Sequence, residues 1–194
     1  MVFSSLTFIF IFLPIFLILY YFGAPRSRNM LLFIGSLIFY GMGEPYYLFL
    51  ILLSIFVNYG LGRLIALFYM KKRQKTFFLL LALLYDFGLL LFFKYTNFFI
   101  ENINALLLFH NDWNPIEPLK LTLPLGISFY TFQIVSYIVD VYRGDVKADS
   151  SIVSLGAYLC MFPQLIAGPI VVYSDICTEL KARTISIEKL DNGL

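Results

Sequence analysis

A segment near the middle of the chain, Leu123–Tyr142, is apolar enough to lie in a bilayer and yet carries polar residues at regular intervals. These residues recur every three or four positions, at Gly126, Tyr130, Gln133, Tyr137 and Asp140. In a helix this spacing puts them on one face. Because hydrocarbon offers no hydrogen-bonding partners, a polar face on a membrane helix must be covered by protein or water. The pattern therefore predicts a helix around which other segments pack.

The composition supports a membrane protein. Of the 194 residues, 60% are hydrophobic and only 13% are charged, whereas about 25% are charged in a typical soluble domain. We expect the lipid bilayer to be the main surrounding of the chain. The formal net charge of +2 gives no reason to expect a nucleic-acid partner.

Apolar stretches of span length recur along the chain, and a hydrocarbon core of about 30 Å needs about 20 helical residues. They are Leu6–Phe22, Ser27–Gly43, Tyr46–Met70, Phe77–Phe93, Leu123–Tyr142 and Ile152–Tyr173. Tyr95–Leu119 mixes polar and aromatic residues, which predicts an interfacial helix followed by a loop. Ser174–Leu194 is polar and predicts an amphipathic or loop segment. The predicted fold is all-α, a polytopic membrane bundle with about six spans.

The basic residues predict the orientation of this bundle. With the amino terminus outside, the predicted cytoplasmic loops contain Arg26, Arg28, Lys71, Lys72, Arg73, Lys75, Arg143 and Lys147. The predicted outer loops contain only Lys94 and Lys120. Since Lys and Arg concentrate in cytoplasmic loops, we expect a multi-pass protein of the cytoplasmic (inner) membrane with an extracytoplasmic amino terminus.

The two ends of the sequence carry separate expectations. Met1–Ser5 has no positive charge, and no small-residue cleavage site follows the first apolar run, so we expect a retained span rather than a secretory signal. Leu190–Leu194 gives no closing helix, and six spans leave few helices to cover the polar face. We expect residues 1–194 to be the amino-terminal part of one longer membrane domain.

Residues that could carry chemistry are few. His110 is the one histidine, and in its polar stretch it is more typical of a solvated side chain than of a catalytic group. Cys160 and Cys177 have neither metal-ligand nor redox spacing, so we expect two isolated thiols and no metal site. The chain also lacks a serine, histidine and acid arrangement and a glycine-rich phosphate loop.

Asp86 lies near the middle of the fourth predicted span. An ionisable group there marks a functional site by default, but a hydrogen-bonded Asp that holds two helices together is an equally good interpretation. Asn58, Gln133 and Tyr137 are candidate partners, whose simpler role is interhelical hydrogen bonding.

The sixth predicted span is interrupted twice, by Pro163 and by Gly168-Pro169, with Gln164 between them. Non-helical backbone at membrane depth is tolerated only where it is buried in protein or lines a cavity. The segment therefore either lines a chamber or tunnel or is a kinked packing helix, and the sequence favours neither.

Four motifs in order resemble the membrane-bound O-acyltransferase family. They are FYGMGEP at Phe39–Pro45, FFKYTNFF at Phe92–Phe99, LPLGISFYTFQIVSYIVDVYRG at Leu123–Gly144 and FPQLIAGPIVVYSDI at Phe162–Ile176. The resemblance covers nearly the whole chain. It is greatest to the bacterial branch that contains the alginate O-acetyltransferase membrane subunit and the D-alanyl transfer protein of teichoic acid modification.

The resemblance implies a bundle of roughly a dozen helices around a tunnel. It implies transfer of an acetyl or other acyl group to hydroxyls of an extracytoplasmic polysaccharide, with a cytoplasmic acyl-CoA or acyl-carrier thioester as co-substrate and no bound cofactor. Extracytoplasmic acetylation proteins are possible partners. The family's catalytic histidine is expected beyond Leu194, so we assign no catalytic residue here and expect these residues alone to be inactive.

Within that resemblance, we expect a set of residues from the fifth and sixth spans to line the acyl path: Tyr130, Gln133, Tyr137, Gln164, Gly168 and Pro169. Two other functions remain open. A transporter or channel half would also have broken helices and an intramembrane carboxylate, although the first three spans show no inverted repeat. A non-catalytic membrane scaffold is the third.

Overall fold

A computed structural model describes residues 5–107, 115–168 and 171–181, and within these residues all regular structure is helical. A π-helical turn, Phe8–Phe12, continues into the first α-helix, and a 3-10 turn, Pro25–Ser27, precedes the second. The α-helices are α1 Leu13–Phe22, α2 Arg28–Gly43, α3 Leu48–Leu67, α4 Lys72–Leu107, α5 Ile127–Arg143, α6 Ile152–Cys160, α7 Phe162–Ala167 and α8 Tyr173–Lys181. The all-α prediction is confirmed for the described part of the chain.

Two helices, α3 and α4, are both long enough and apolar enough to cross a membrane. Phe8–Phe22 is apolar but shorter, and α6 and α7 have only nine and six residues. The described helices therefore support a membrane protein with two helices of clear crossing length. A count of six spans is not confirmed.

Helix α4 corrects the predicted boundary at Phe93. The sequence predicts a span that ends there and, at Tyr95–Leu119, an interfacial helix followed by a loop, whereas one helix of 36 residues continues to Leu107. The change from apolar to polar residues after Phe93 moves the helix from lipid towards water, but it leaves the backbone hydrogen bonds of the helix intact. The helix also meets no residue that would break it, because no Pro or Gly follows Gly88 until Pro115. At 1.5 Å per residue α4 measures about 54 Å, well beyond a hydrocarbon core of about 30 Å.

Two asparagines attach an extended segment, residues 116–119, to the carboxyl-terminal half of α4. Asn97 donates to the carbonyl of Leu119 and accepts from its N–H, both at 2.9 Å. Asn104, two turns further on, does the same with Ile116 at 2.8 and 2.9 Å. Each side-chain amide thus donates one hydrogen bond to the backbone of a single residue and accepts one from it, as a neighbouring β-strand would. We call residues 116–119 the strap.

Helix α5 lies at the centre of the core and contacts α3, α4, α6 and α8. Its buried residues include Tyr130, Gln133 and Tyr137, so the prediction that protein covers its polar face is confirmed there; Asp140 is half-buried. Gly126 corrects the predicted stripe. It precedes the helix with a φ of 72°, a left-handed conformation that favours glycine, and α5 begins at Ile127.

The predicted sixth span, Ile152–Tyr173, is not one helix. The backbone leaves helical geometry at Met161, between α6 and α7, and Pro163 lies in the first turn of α7, where a proline costs no hydrogen bond. The N–H of Phe162 at this break donates to the Ser36 hydroxyl at 3.3 Å. The Phe162 ring packs among those of Phe8 and Phe39. Phe162 of the break is thus buried in protein, whereas Met161 and Pro163 on either side of it line a groove, so both conditions under which such a break is tolerated are met.

Candidate functional site

The structure places the predicted path residues in two separate regions. Tyr130, Gln133 and Tyr137 are buried in the core on α5. Gln164 and Gly168 line a groove. Pro169 and His110 lie outside the described residues. No residue of the α5 face lines the groove, so the described residues do not bring the set together in one cavity.

Asn58 and Asp86 form a buried hydrogen bond between α3 and α4. The Asn58 side chain is 0% exposed and that of Asp86 4%. Asn58 Nδ2 donates to Asp86 Oδ1 at 2.8 Å and to the carbonyl of Ser54, one turn earlier, at 3.0 Å. Asn58 is therefore the partner of Asp86, one of the three candidates that the sequence suggested. Among the described residues, neither Gln133 nor Tyr137 donates to this carboxyl group.

Three polar atoms near this pair have no partner among the described residues: Asp86 Oδ2, Asn58 Oδ1 and the Tyr130 hydroxyl. Tyr130, from α5, is near enough to Asp86 to interact with it electrostatically. Buried polar groups are nearly always hydrogen-bonded. The meeting of α3, α4 and α5 thus has unused hydrogen-bonding capacity for further polar groups, from protein, water or substrate.

A second polar network holds the α5–α6 loop, and the sequence analysis did not find it. Asp149 is 2% exposed. Its Oδ2 accepts from the Tyr173 hydroxyl at 2.6 Å, its Oδ1 accepts from the N–H of Ser151 at 3.0 Å, and its own N–H donates to the Tyr137 hydroxyl at 3.0 Å. Tyr137 therefore has a clear structural role, since it joins α5 to this loop.

Tyr173 lies at the start of α8, outside the helices of crossing length. Its ring packs edge-on against two others, with 4.9 Å between the ring centres of Tyr173 and Tyr137 and 5.2 Å between those of Tyr173 and Tyr158. The sequence signal here was weak. Ser151 is a recognisable N-cap of α6, with its side chain accepting from Ser154 N–H, but nothing local identifies Asp149 as buried.

The groove beside α7 has a volume of about 570 Å³ and is lined by aromatic and aliphatic side chains, including Phe16, Tyr20 and Leu180. Gln164 Nε2 is buried beside it without a hydrogen-bond partner among the described residues. A Cβ on Gly168 would lie 2.7 Å from the Cα of Gln164, so the close approach of the backbone requires glycine. The groove thus offers an apolar surface with one unpartnered amide nitrogen buried behind it.

Another cavity, of about 980 Å³, lies between α3 and the segment after α5. Arg63 and Lys147 contribute positive charge to its lining, which also includes Tyr69 and Gly144. Such a cavity suits an anionic group next to an apolar one. No group of three or more metal-ligating side chains occurs among the described residues.

Comparison with curated proteins identifies relatives along the whole chain. It is 40% identical over 196 residues, covering 100% of its length, to the "Probable alginate O-acetylase AlgI" of Pseudomonas syringae pv. tomato. The protein of the same name from Azotobacter vinelandii is 38% identical over 196 residues. The "Peptidoglycan O-acetyltransferase" of Helicobacter pylori is 33% identical over 210 residues, covering 93% of the chain.

The chain spans 37 to 39% of the length of these three relatives. No family model matches the chain. No solved structure matches it. The resemblance that the four motifs predicted is confirmed, because the relatives are O-acetyltransferases of the predicted type.

Proposed function

We propose that this chain, a relative of the membrane-bound O-acyltransferases, is part of a membrane enzyme that transfers acetyl groups to hydroxyls of an extracytoplasmic polysaccharide. One observation carries the proposal. Curated proteins at 33 to 40% identity, aligned over 93 to 100% of the chain, are named for O-acetylation of alginate or peptidoglycan. Both of those polymers present hydroxyls outside the cytoplasm, and an apolar helical protein suits transfer across the bilayer.

The proposed reaction is an acyl transfer. The acceptor hydroxyl oxygen attacks the carbonyl carbon of an acyl-CoA or acyl-carrier thioester, the new C–O ester bond forms, and the C–S bond breaks. A general base takes the hydroxyl proton, and the thiolate leaves and is protonated as the thiol. That base is the family's histidine, which we assign to no residue between Met1 and Leu194. The residues described above would provide walls and support for this site.

We propose an extracytoplasmic amino terminus, about six membrane crossings and location in the inner membrane. The distribution of Lys and Arg supports this orientation. This orientation puts the cavity near Arg63 and Lys147 on the cytoplasmic side, because Tyr69 of its lining also contacts Lys75 in the basic first turn of α4. A thioester carrier with phosphate groups, as in CoA, would find positive charge there.

We further propose that the groove beside Gln164 and Gly168 is part of the acyl path. The other residues of the predicted set, Pro169, Tyr130, Gln133 and Tyr137, stay candidates for separate parts of that path. Gln164→Leu in the full-length protein tests the groove. Since the amide nitrogen has no partner among the described residues, a Leu of similar size should leave the stability unchanged or slightly raised. Acetyl transfer should fall at least about tenfold, a barrier increase of about 1.4 kcal/mol.

The control is Gln74→Leu, at an exposed position outside the groove. It should leave both transfer and the unfolding temperature as they are in the parent protein. Unchanged transfer by Gln164→Leu would remove Gln164 from the path.

The function itself is tested by deleting the full-length gene and measuring the acetate that mild alkali releases from purified exopolysaccharide and peptidoglycan. We expect the acetate of one polymer to be lost and to return with the full-length gene, but not with residues 1–194 alone. Unchanged acetate in both polymers would contradict the proposal. That result would favour the transporter or scaffold alternative. The same alternatives would be favoured if a full-length variant without the histidine restored the acetate.

A further inference from the structure

A basic pocket lies at the amino-terminal end of α4, away from both polar networks. It has a volume of about 580 Å³ and is lined by Lys72, Arg73, Thr76, Phe77 and Leu80. We propose that this pocket binds the phosphate headgroup of an anionic phospholipid, with the acyl chains along the apolar face of α4 below it. The inference goes beyond the proposed function and does not depend on it.

The two cations of the pocket are available to a ligand. The neighbouring cations already have aromatic partners: Lys75 Nζ lies 3.9 Å from the Tyr69 ring centre and 4.5 Å from that of Tyr142, and Lys71 Nζ lies 5.7 Å from that of Phe68. Lys72 and Arg73 are exposed. Their charged groups have no ring or carboxylate partner among the described residues. Arg can bind a phosphate in a bidentate manner, and Lys adds a point charge.

The surface below these cations is apolar and exposed. Phe77 is 59% exposed, Leu80 60% and Leu84 76%. With Arg73 they occupy every third or fourth position, so they form one face of the helix. From Arg73 to Leu84 this face descends about 16 Å at 1.5 Å per residue, the depth of one leaflet of a hydrocarbon core of about 30 Å.

The combination of two cations with an apolar face below them indicates that the phosphate belongs to a lipid. A free phosphate or a soluble nucleotide would use the two cations but would leave the apolar face uncovered. A phospholipid covers both, with its charge at the interface and its chains against the side chains. A basic residue near an anionic membrane surface contributes about 1 kcal/mol. Removal of one cation should therefore weaken binding about fivefold, and removal of both about 25-fold.

The test is a lipid titration of the full-length protein in detergent, with bound lipids counted by native mass spectrometry. Phosphatidylglycerol and phosphatidylcholine with identical chains are compared, and inorganic phosphate is added as a competitor. The variants are the double substitution Lys72→Gln with Arg73→Gln, and the charge-retaining pair Lys72→Arg with Arg73→Lys. Lys120→Gln, an exposed cation beyond the strap, is the matched control.

We expect the double Gln variant to bind phosphatidylglycerol about 25-fold more weakly, with phosphatidylcholine binding unchanged. The charge-retaining pair and Lys120→Gln should stay within about twofold of the parent protein. Equal binding by the double variant, or equal weakening by Lys120→Gln, would overturn the proposal. Displacement of phosphatidylglycerol by inorganic phosphate at similar concentration would overturn the lipid as the source. If the double variant does not fold, the two single Gln variants, each about fivefold weaker, decide the question.

Discussion

At the scale of single residues, the hydrogen bond between Asn58 and Asp86 makes a prediction about asymmetry. Asn58→Leu leaves the buried carboxyl group without any partner among the described residues, which should cost about 1–3 kcal/mol. Asp86→Asn keeps an oxygen that accepts from Asn58 and should cost no more than about 0.6 kcal/mol, the average for a hydrogen bond between membrane helices. Unfolding by denaturing detergent measures both. Equal losses for the two variants would mean that the pair does not act as a donor and an acceptor.

Gly126 gives a second prediction at this scale. Gly126→Ala forces an L-residue into the left-handed region and puts a Cβ 3.0 Å from the Leu165 side chain, so we expect a loss of about 1–2 kcal/mol. Gly88→Ala is the matched control, since a Cβ at this position of α4 meets no atom of the described residues within 4 Å. It should stabilise the helix by about 0.5–1 kcal/mol. Thermal unfolding of the two variants should therefore shift in opposite directions, and shifts in the same direction would contradict this account.

At the scale of elements, the two asparagines of α4 should hold the strap independently of the core. Asn97→Ala with Asn104→Ala removes the amide pairs, so hydrogen exchange at residues 116–119 should accelerate while exchange in α3 and α5 stays as it was. Asn102→Ala is the control, because among the described residues the Asn102 side chain bonds only to the Phe98 carbonyl of its own helix. Faster exchange in α3 or α5 would show that the strap supports the core.

The helices also show which structural features can be predicted from neighbouring residues in the sequence. The centre of α5 was predictable because its polar period is contained within one helix, and the break near Pro163 because proline acts on its own turn. The left-handed Gly126 was not predictable from spacing, which is the same whether a glycine lies in a helix or precedes one. The continuation of α4 beyond Phe93 was not predictable from composition, because a change from apolar to polar residues does not by itself end a helix.

The contacts of the candidate site likewise include some that the sequence could predict and others that it could not. Asn58 could be proposed as a partner of Asp86 because few polar residues lie in the neighbouring apolar segments. Asp149 could not be identified, since its Tyr173 partner lies 24 residues away. Leu119 likewise lies 22 residues from Asn97. Pairings at such separations depend on how helices pack and leave no pattern in the sequence around either residue.

At the scale of the whole molecule, the proposed orientation predicts that the start of α4 and the segment just after the strap lie on opposite sides of the membrane. Single cysteines at Lys72→Cys and Lys120→Cys, in a Cys177→Ser background where Cys160 is buried, should react with a membrane-impermeant maleimide from different sides in intact cells. Lys120→Cys should be labelled from outside, and Lys72→Cys only after the membrane is opened. Labelling of both in intact cells, or of Lys72→Cys alone, would contradict the orientation.

The length of α4 has a consequence for the choice of membrane. A span that just matches the hydrocarbon layer must tilt or deform the bilayer when thickness changes, at a cost of a fraction of a kcal/mol per Å. Beyond Phe93, α4 continues as helix with exposed aromatic side chains, Phe98 and Phe99, which suit the boundary between lipid and water. A thicker bilayer can therefore reach further along α4 without bending it, with the Lys94 ammonium group extending to the headgroups. Hydrophobic mismatch should change the depth at which the strap lies before it changes the packing of α3, α4 and α5.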